Sequence, residues 1–369
     1  MAVPVTSALT LPSGKPPPPA RLKGGFVRSC VSSPVSGLLT ALIVAVSLVA
    51  LLELVRWALI DAVWTGTSGK DCVDHSGACW IFLGARAQTL MFGGYPPTEQ
   101  WRVIAALALI GACILALRTM RRHLLRPYPL VFTLGAFSFV IGILIYGGVL
   151  GLPVIPTNRW GGAMLTIIIA AWTIATALPL GLLLALARRS ELPLISLLTG
   201  VCIDLMRSLP LVGILFLMIV MFPLFVPPGV ETDKLMRVLV AFTLFNAANF
   251  AEVFRGGLAA IPNGQTEAGR SLGLSKWQVT GLILVPQAIT ITVPALVNLC
   301  VALIKETTIV LIVGLIDFVA VLQIGMSDPA WLIAPSVRTT AYAFAAIVFW
   351  TICFSLSRYS RRLERRMHR

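Results

Sequence analysis

Uncharged apolar runs alternate along this chain with short, mostly basic connectors. Crossing a hydrocarbon core of about 30 Å as a helix takes roughly 20 apolar residues. On that measure the pattern predicts about eight spanning helices, at 37–60, 103–117, 130–151, 161–187, 209–226, 238–253, 290–315 and 339–357. The apolar stretch 314–326 is followed by Pro329 and Pro335, which predicts a half-helix or an interfacial piece. Pro179, Pro210, Pro286 and Pro294 each remove a backbone donor and should kink or end a helix. Residues 1–34 run differently: they include "SGKPPPPARLKGG" and hold four basic residues and no acid in all. Such a composition cannot bury a core and reads as a disordered tail rather than a signal peptide.

Composition supports a membrane protein. Of 369 residues, 57% are hydrophobic and 12% charged, with mean hydropathy +0.91, against about a quarter charged in a soluble domain. The net charge of +14 would suggest nucleic acid in a soluble protein. Here 20 of the 29 Lys and Arg fall in the N-terminal tail and the connectors 118–126, 188–207, 255–276 and 358–369. All of these share one side of the membrane if the N-terminus is cytoplasmic, and basic residues accumulate on that side. The expected protein is therefore all-α and polytopic, in a bacterial inner membrane, with both termini cytoplasmic, lipid around it and no nucleic acid. Its organisation reads as a tail (1–34), three N-terminal helices (35–152) with an exported loop (61–102), a core (153–358) and a basic tail (359–369).

Seven cysteines are present. Cys72 and Cys79 lie in the exported loop, where an oxidising compartment would let them pair. Pairing and two free thiols stay open as alternatives. His75 between them completes no standard metal-ligand pattern, so no metal site is expected. "GTSGKD" at 66–71 lacks phosphate-loop spacing, so no cofactor is expected in this chain.

One polar segment interrupts the apolar pattern: "TEAGRSLGLSKWQVTGLILVP" at 266–286. Its first part reads as a short helix with Pro262 in the first turn. Gly273 falls where a helix C-terminus favours positive φ. Ser275 and Gln278 form a capping box for a second helix, anchored by Trp277, Val279 and Leu282. Glu267 and Arg270 are neighbours on the first helix.

The spacing resembles the coupling motif of ATP-binding-cassette importer permeases: E-A-A, three residues, G, nine residues, I-x-L-P. Glu267, Ala268 and Gly269 stand for the first three positions, Gly273 for the glycine, and Ile283 and Pro286 for the end. Gly269 replaces an alanine, which weakens the helix by about 1 kcal/mol, and Val285 replaces a leucine. Three further segments resemble the polar amino acid uptake branch: "DLMRSLPLV" at 204–212, "AEVFRGGLAAIPNGQ" at 251–265 and "IKETTIVLIVGL" at 304–315. Three helices before a five-helix core, with "DPAW" at 328–331 after it, resemble a permease subunit of general L-amino acid uptake systems.

The resemblance implies a type I importer permease core with a cytoplasmic coupling segment at 256–287. It implies docking on a separate ATPase subunit, in two copies, which holds ATP-Mg, and pairing with a second homologous permease. A periplasmic amino-acid-binding protein would deliver substrate, and the permease itself would not be an enzyme. Glu267, Ala268, Gly269, Arg270, Gly273, Ile283 and Pro286 would carry the coupling.

For the substrate path, ionisable residues at membrane depth are costly and usually face a cavity or the bundle interior. That singles out Lys305 and Glu306, with Thr307 beside them. Asn246, Asn249 and Glu252 recur at three-residue steps on one helix face. Each set has a second reading: a self-satisfying structural pair, interhelical hydrogen bonds, or a Glu252–Arg255 bridge at the cytoplasmic boundary. The rival function is a secondary transporter driven by an ion gradient, but such proteins often show two related halves, and none are visible here.

Overall fold

The computed structural model describes residues 30, 33–119, 140–149 and 151–367, and every regular element among them is helical. The chain divides into two compact units, 1–62 and 63–369. The first contains α1 (Pro34–Val55), which runs on as a π-helical turn, Arg56–Ile60. Ser33 caps α1 by accepting the Ser36 N–H, and Pro34 fits the first turn because that position needs no donor. The Arg56 Nε–H donates to Asp61 at 3.0 Å just past its end.

The second unit holds α2 (Ile81–Phe92), α3 (Gln100–Thr119), α4 (Gly162–Arg188), α5 (Pro193–Ser208) and α6 (Leu211–Phe216). It continues with α7 (Lys234–Ala259), α8 (Gly264–Ser271), α9 (Lys276–Val279) and α10 (Val285–Glu306). Last come α11 (Phe318–Met326), α12 (Pro329–Leu332) and α13 (Pro335–Met367). The α4–α7 pair is its centre, with α10 packed against α7 and α13 against α10. On α7, Leu235, Val238, Leu239, Phe242, Phe250, Phe254 and Leu258 are buried at positions that share one helix face. Asp233 starts that helix by accepting the Met236 N–H at 2.9 Å.

Among the described residues, five helices are long and apolar enough to cross a membrane: Pro34–Ile60, Gly162–Arg188, Lys234–Ala259, Lys276–Val313 and Pro335–Arg362. The pair Pro193–Ser208 and Leu211–Phe225, bent by 103°, makes a sixth if taken as one broken span. So the expected span at 209–226 is one arm of a bent pair, and half of 130–151 falls outside the described residues. The expected 103–117 lies within α3. Pro210 does end a helix, capping the start of α6. Pro179 and Pro294 instead lie inside α4 and α10, which continue through them. In a packed bundle, neighbouring helices and local adjustments can offset the lost backbone bond. The half-helix expected at 314–326 is α11, opened after Gly314 and capped by Asp317.

Candidate functional site

The polar segment folds as a helical hairpin, and local capping explains its shape. Helix α8 starts at Gly264, so Pro262 precedes it rather than occupying its first turn. At its end Gly273 takes φ +79, a conformation that an L side chain resists. The Leu274 N–H then donates to the Gly269 carbonyl at 3.2 Å and the Gly273 N–H to the Arg270 carbonyl at 2.9 Å. These two bonds form a Schellman stop. Ser275 and Gln278 make the reciprocal capping box that opens α9.

Tertiary packing decides the rest. Gly269 is buried, and a Cβ there would stand 2.9 Å from Val279 Cγ2 and 3.0 Å from Ile283 Cδ1. The missing methyl is thus a close-packing requirement between the two arms, not merely a weakened helix. Val279 is buried, but Trp277 is 81% exposed and Leu282 61%, so of the three expected anchors only Val279 acts as one. Leu272, at 80% exposure, joins Trp277 in giving the hairpin an apolar surface. Glu267, Ala268 and Arg270 are exposed, while Ile283 and Pro286 are half-buried at the hairpin's root.

Two side-chain contacts tie the hairpin to the helices. The Lys276 ammonium pairs with Glu191, in the α4–α5 connection, at 2.6 Å. That hydrogen bond, with the lysine's charge, holds the Glu191 carboxyl below the usual carboxylate range. Gln287 Nε2 also donates to Gln265 Oε1 at 3.4 Å. Glu191 is a residue that sequence reasoning missed, because nothing local marks a partner 85 positions away.

The proposed path residues are not gathered in one place. Asn246 is buried and donates to the Phe242 carbonyl at 3.0 Å, and Asn249 donates to Phe245 at 3.1 Å. Both bonds lie within α7, and among the described residues neither asparagine makes an interhelical bond. Thr307 is buried and bonds back to the Ile304 carbonyl. Lys305 is exposed and Glu306 half-buried, and no ion pair joins them among the described residues. Glu252 pairs with Arg255, and Arg207 and Arg188 also face it.

At the end of the unit away from the hairpin, Cys72 and Cys79 are joined by a disulfide. The segment they staple packs on α11–α13. Phe82 meets Trp331 edge-on at 5.4 Å, Arg86 pairs with Asp328, and the Cys79 N–H donates to Thr340 Oγ1 at 2.8 Å. Nearby, Asp317 is fully buried; one carboxylate oxygen accepts the Ala320 N–H at 2.9 Å, and the other has no hydrogen-bond partner among the described residues. Burial pushes its carboxyl up to about 6, against the backbone bonds that favour the charged form. Among the described residues no cluster of His, Cys, Asp and Glu could hold a metal ion.

Comparison with known proteins places this geometry. A family model described as "Binding-protein-dependent transport system inner membrane component" matches residues 177–369. The inner membrane amino-acid ABC transporter permease protein YhdY of Escherichia coli (strain K12) is 42% identical over 320 residues, covering 85% of this chain and 84% of that protein. The glutamate/glutamine/aspartate/asparagine transport system permease protein BztC of Rhodobacter capsulatus is 31% identical, covering 90% of this chain and 92% of its own. The probable glutamine ABC transporter permease protein GlnP of Bacillus subtilis (strain 168) is 32% identical, with 56% of this chain covering 91% of that protein.

Proposed function

This chain belongs to the family of binding-protein-dependent transport system inner membrane components, and on that premise we propose how it works in its assembly. It is a multi-pass inner membrane permease subunit of an ABC importer for amino acids, with no catalytic role of its own. The observation that carries the mechanism is the hairpin 264–286: rigidly capped, with Leu272 and Trp277 facing outward.

An apolar surface on a polar, water-facing hairpin suits a groove on a soluble partner. In this reading that partner is the ATPase subunit, present twice and holding ATP-Mg, with Glu267 and Arg270 as polar contacts beside Trp277. The hairpin and both termini then face the cytoplasm, and the disulfide-stapled end faces the binding protein. A second homologous permease completes the membrane core, of the type I class. Closure of the ATPase pair displaces the hairpin, and the helices behind it move as near-rigid bodies to alternate access. Lys305 and Glu306, free of mutual pairing near the end of α10, suit the carboxylate and ammonium of an amino acid on the path, with Asn249 nearby in chemistry. Asn246 and Thr307 serve the helices' own backbones.

The test is to purify the tagged chain from its native membrane and identify what accompanies it. ATP hydrolysis is then followed with and without amino acids and the binding protein. Co-purifying ATPase and permease chains with stimulated hydrolysis are the expected result. A lone chain moving amino acids down an ion gradient would overturn the reading. Trp277→Asp should release the ATPase while leaving the membrane part folded, and an intact complex in that variant would remove the docking assignment.

A further inference from the structure

The segments 204–212 and 251–265 lie apart in the sequence, and each puts charged residues into one ionic cluster. Glu252, on α7, is paired with Arg255 one turn further along the same helix. Arg207, from the last turn of α5, stands 3.6 Å from its carboxylate, and Arg188, the last residue of α4, stands 3.8 Å away. Arg188 also donates from both terminal nitrogens to Asp204 of α5, each at 3.1 Å. Next to it, Arg189 donates to the Leu258 carbonyl near the end of α7 at 3.3 Å. One carboxylate is therefore shared by guanidinium groups from three helices, and it is only 25% exposed.

The place of this cluster matters as much as its charge. Helix α7 ends at Ala259 and the hairpin begins at Gly264, so movement of the hairpin's first arm enters the membrane helices here, while its second arm runs on into α10. At the same level Gly257 lets α7 close on α10, where an added Cβ would stand 2.3 Å from Thr292 Cγ2. A carboxylate facing three arginines is also poorly placed to receive the ammonium of an amino acid, because the guanidinium groups repel it.

We propose that Glu252 is a positioning residue for transport: its carboxylate holds the ends of α4, α5 and α7 together as one block, so that the hairpin's displacement moves all three. This rests on the importer reading given above. Arg188 and Arg207 are its working partners, and Asp204 keeps Arg188 in place. Partial burial of Glu252 and Arg188 keeps that pair less screened than an ordinary surface pair.

The experiment uses the assembled complex, with its ATPase, partner permease and binding protein, in proteoliposomes. Glu252→Gln, Glu252→Asp, Arg207→Gln and Arg188→Gln are compared by maximal uptake rate, KM for the amino acid, and ATP hydrolysed per amino acid imported. Glu252→Gln should lower the maximal rate about tenfold with KM little changed, with more ATP spent per import and partial recovery in Glu252→Asp. A raised KM at unchanged maximal rate would make Glu252 a substrate contact and overturn the proposal. If Glu252→Gln does not assemble, the two arginine variants decide: each should lower the rate at constant KM, and unchanged uptake in both overturns it. Wild-type complex lacking ATP-driven uptake would overturn the importer reading instead, and this inference with it.

Discussion

The hairpin at 264–286 and the stapled segment at 63–92 differ in where the contacts that hold them come from. The hairpin is held by bonds between near neighbours, a Schellman stop and a capping box, and leaves Leu272 and Trp277 facing outward. The stapled segment has a capping box too, Ser68 with Asp71, and adds distant partners: Phe82 on Trp331, Arg86 on Asp328, and the Cys79 amide on Thr340. It buries Ile81, Phe82 and Leu90, while Trp64, Val73 and Met91 stay exposed. In the proposed docking, the hairpin keeps its shape locally and leaves Leu272 and Trp277 free for the partner. The stapled segment gives part of its apolar surface up to packing on α11–α13.

The sharpest way to break this comparison is a pair of tryptophans. Trp331→Ala should lower stability by about 3–5 kcal/mol, because a large buried side chain leaves a cavity. Trp277→Ala should change it by less than about 0.5 kcal/mol, since the ring is exposed, while weakening ATPase association. Thermal unfolding of the purified chain, with ATPase binding measured alongside, checks both; similar unfolding shifts would erase the distinction.

Next in size is Asp317. Its folded-state value of about 6 lies above the ordinary 3.8. Its contribution therefore favours folding below about pH 4 and is lost as pH rises through 6, a swing of about 3 kcal/mol. Asp317→Asn, which can still cap α11, should flatten that part of the pH dependence of unfolding. An unchanged profile would show that the carboxyl is not buried as described.

Replacing Cys72 and Cys79 with serine should cost about 2 kcal/mol, the small loop-closure effect of a short bridge. Loss of stability should be confined to the end that carries α11 and α12, with ATPase association unaffected. Smallest is Gly269→Ala. The gain in helix propensity is about 1 kcal/mol, but overpacking against Val279 and Ile283 should outweigh it by a similar amount. Hydrogen exchange across α8 should quicken, and adding Val279→Ala should reverse the effect. Slower exchange in the single variant would mean that the arms part easily.

Much of the hairpin was legible from spacing, because its stop and cap depend on residues within five positions of one another. Glycine at 273 and the Ser275–Gln278 pair declare their roles by chemistry alone. The membrane class and the long apolar helices were equally legible, since hydrocarbon thickness sets their length whatever their neighbours are. Their number and limits were less so: the bend at Pro210 and the unbroken helices through Pro179 and Pro294 depend on surrounding packing.

Which apolar residues of the hairpin are anchors and which are free surface could not be read from pattern, because Trp277 and Val279 look alike until the opposite arm is in place. The same holds for Glu252. Its sequence neighbours offer only Arg255, and the arrival of Arg188 and Arg207 from two other helices is what turns a candidate substrate contact into the hub of an ionic cluster. Local geometry and burial length belong to the sequence. Shared charge and close packing between distant segments exist only once the chain has folded, because they arise from distances that no local rule sets.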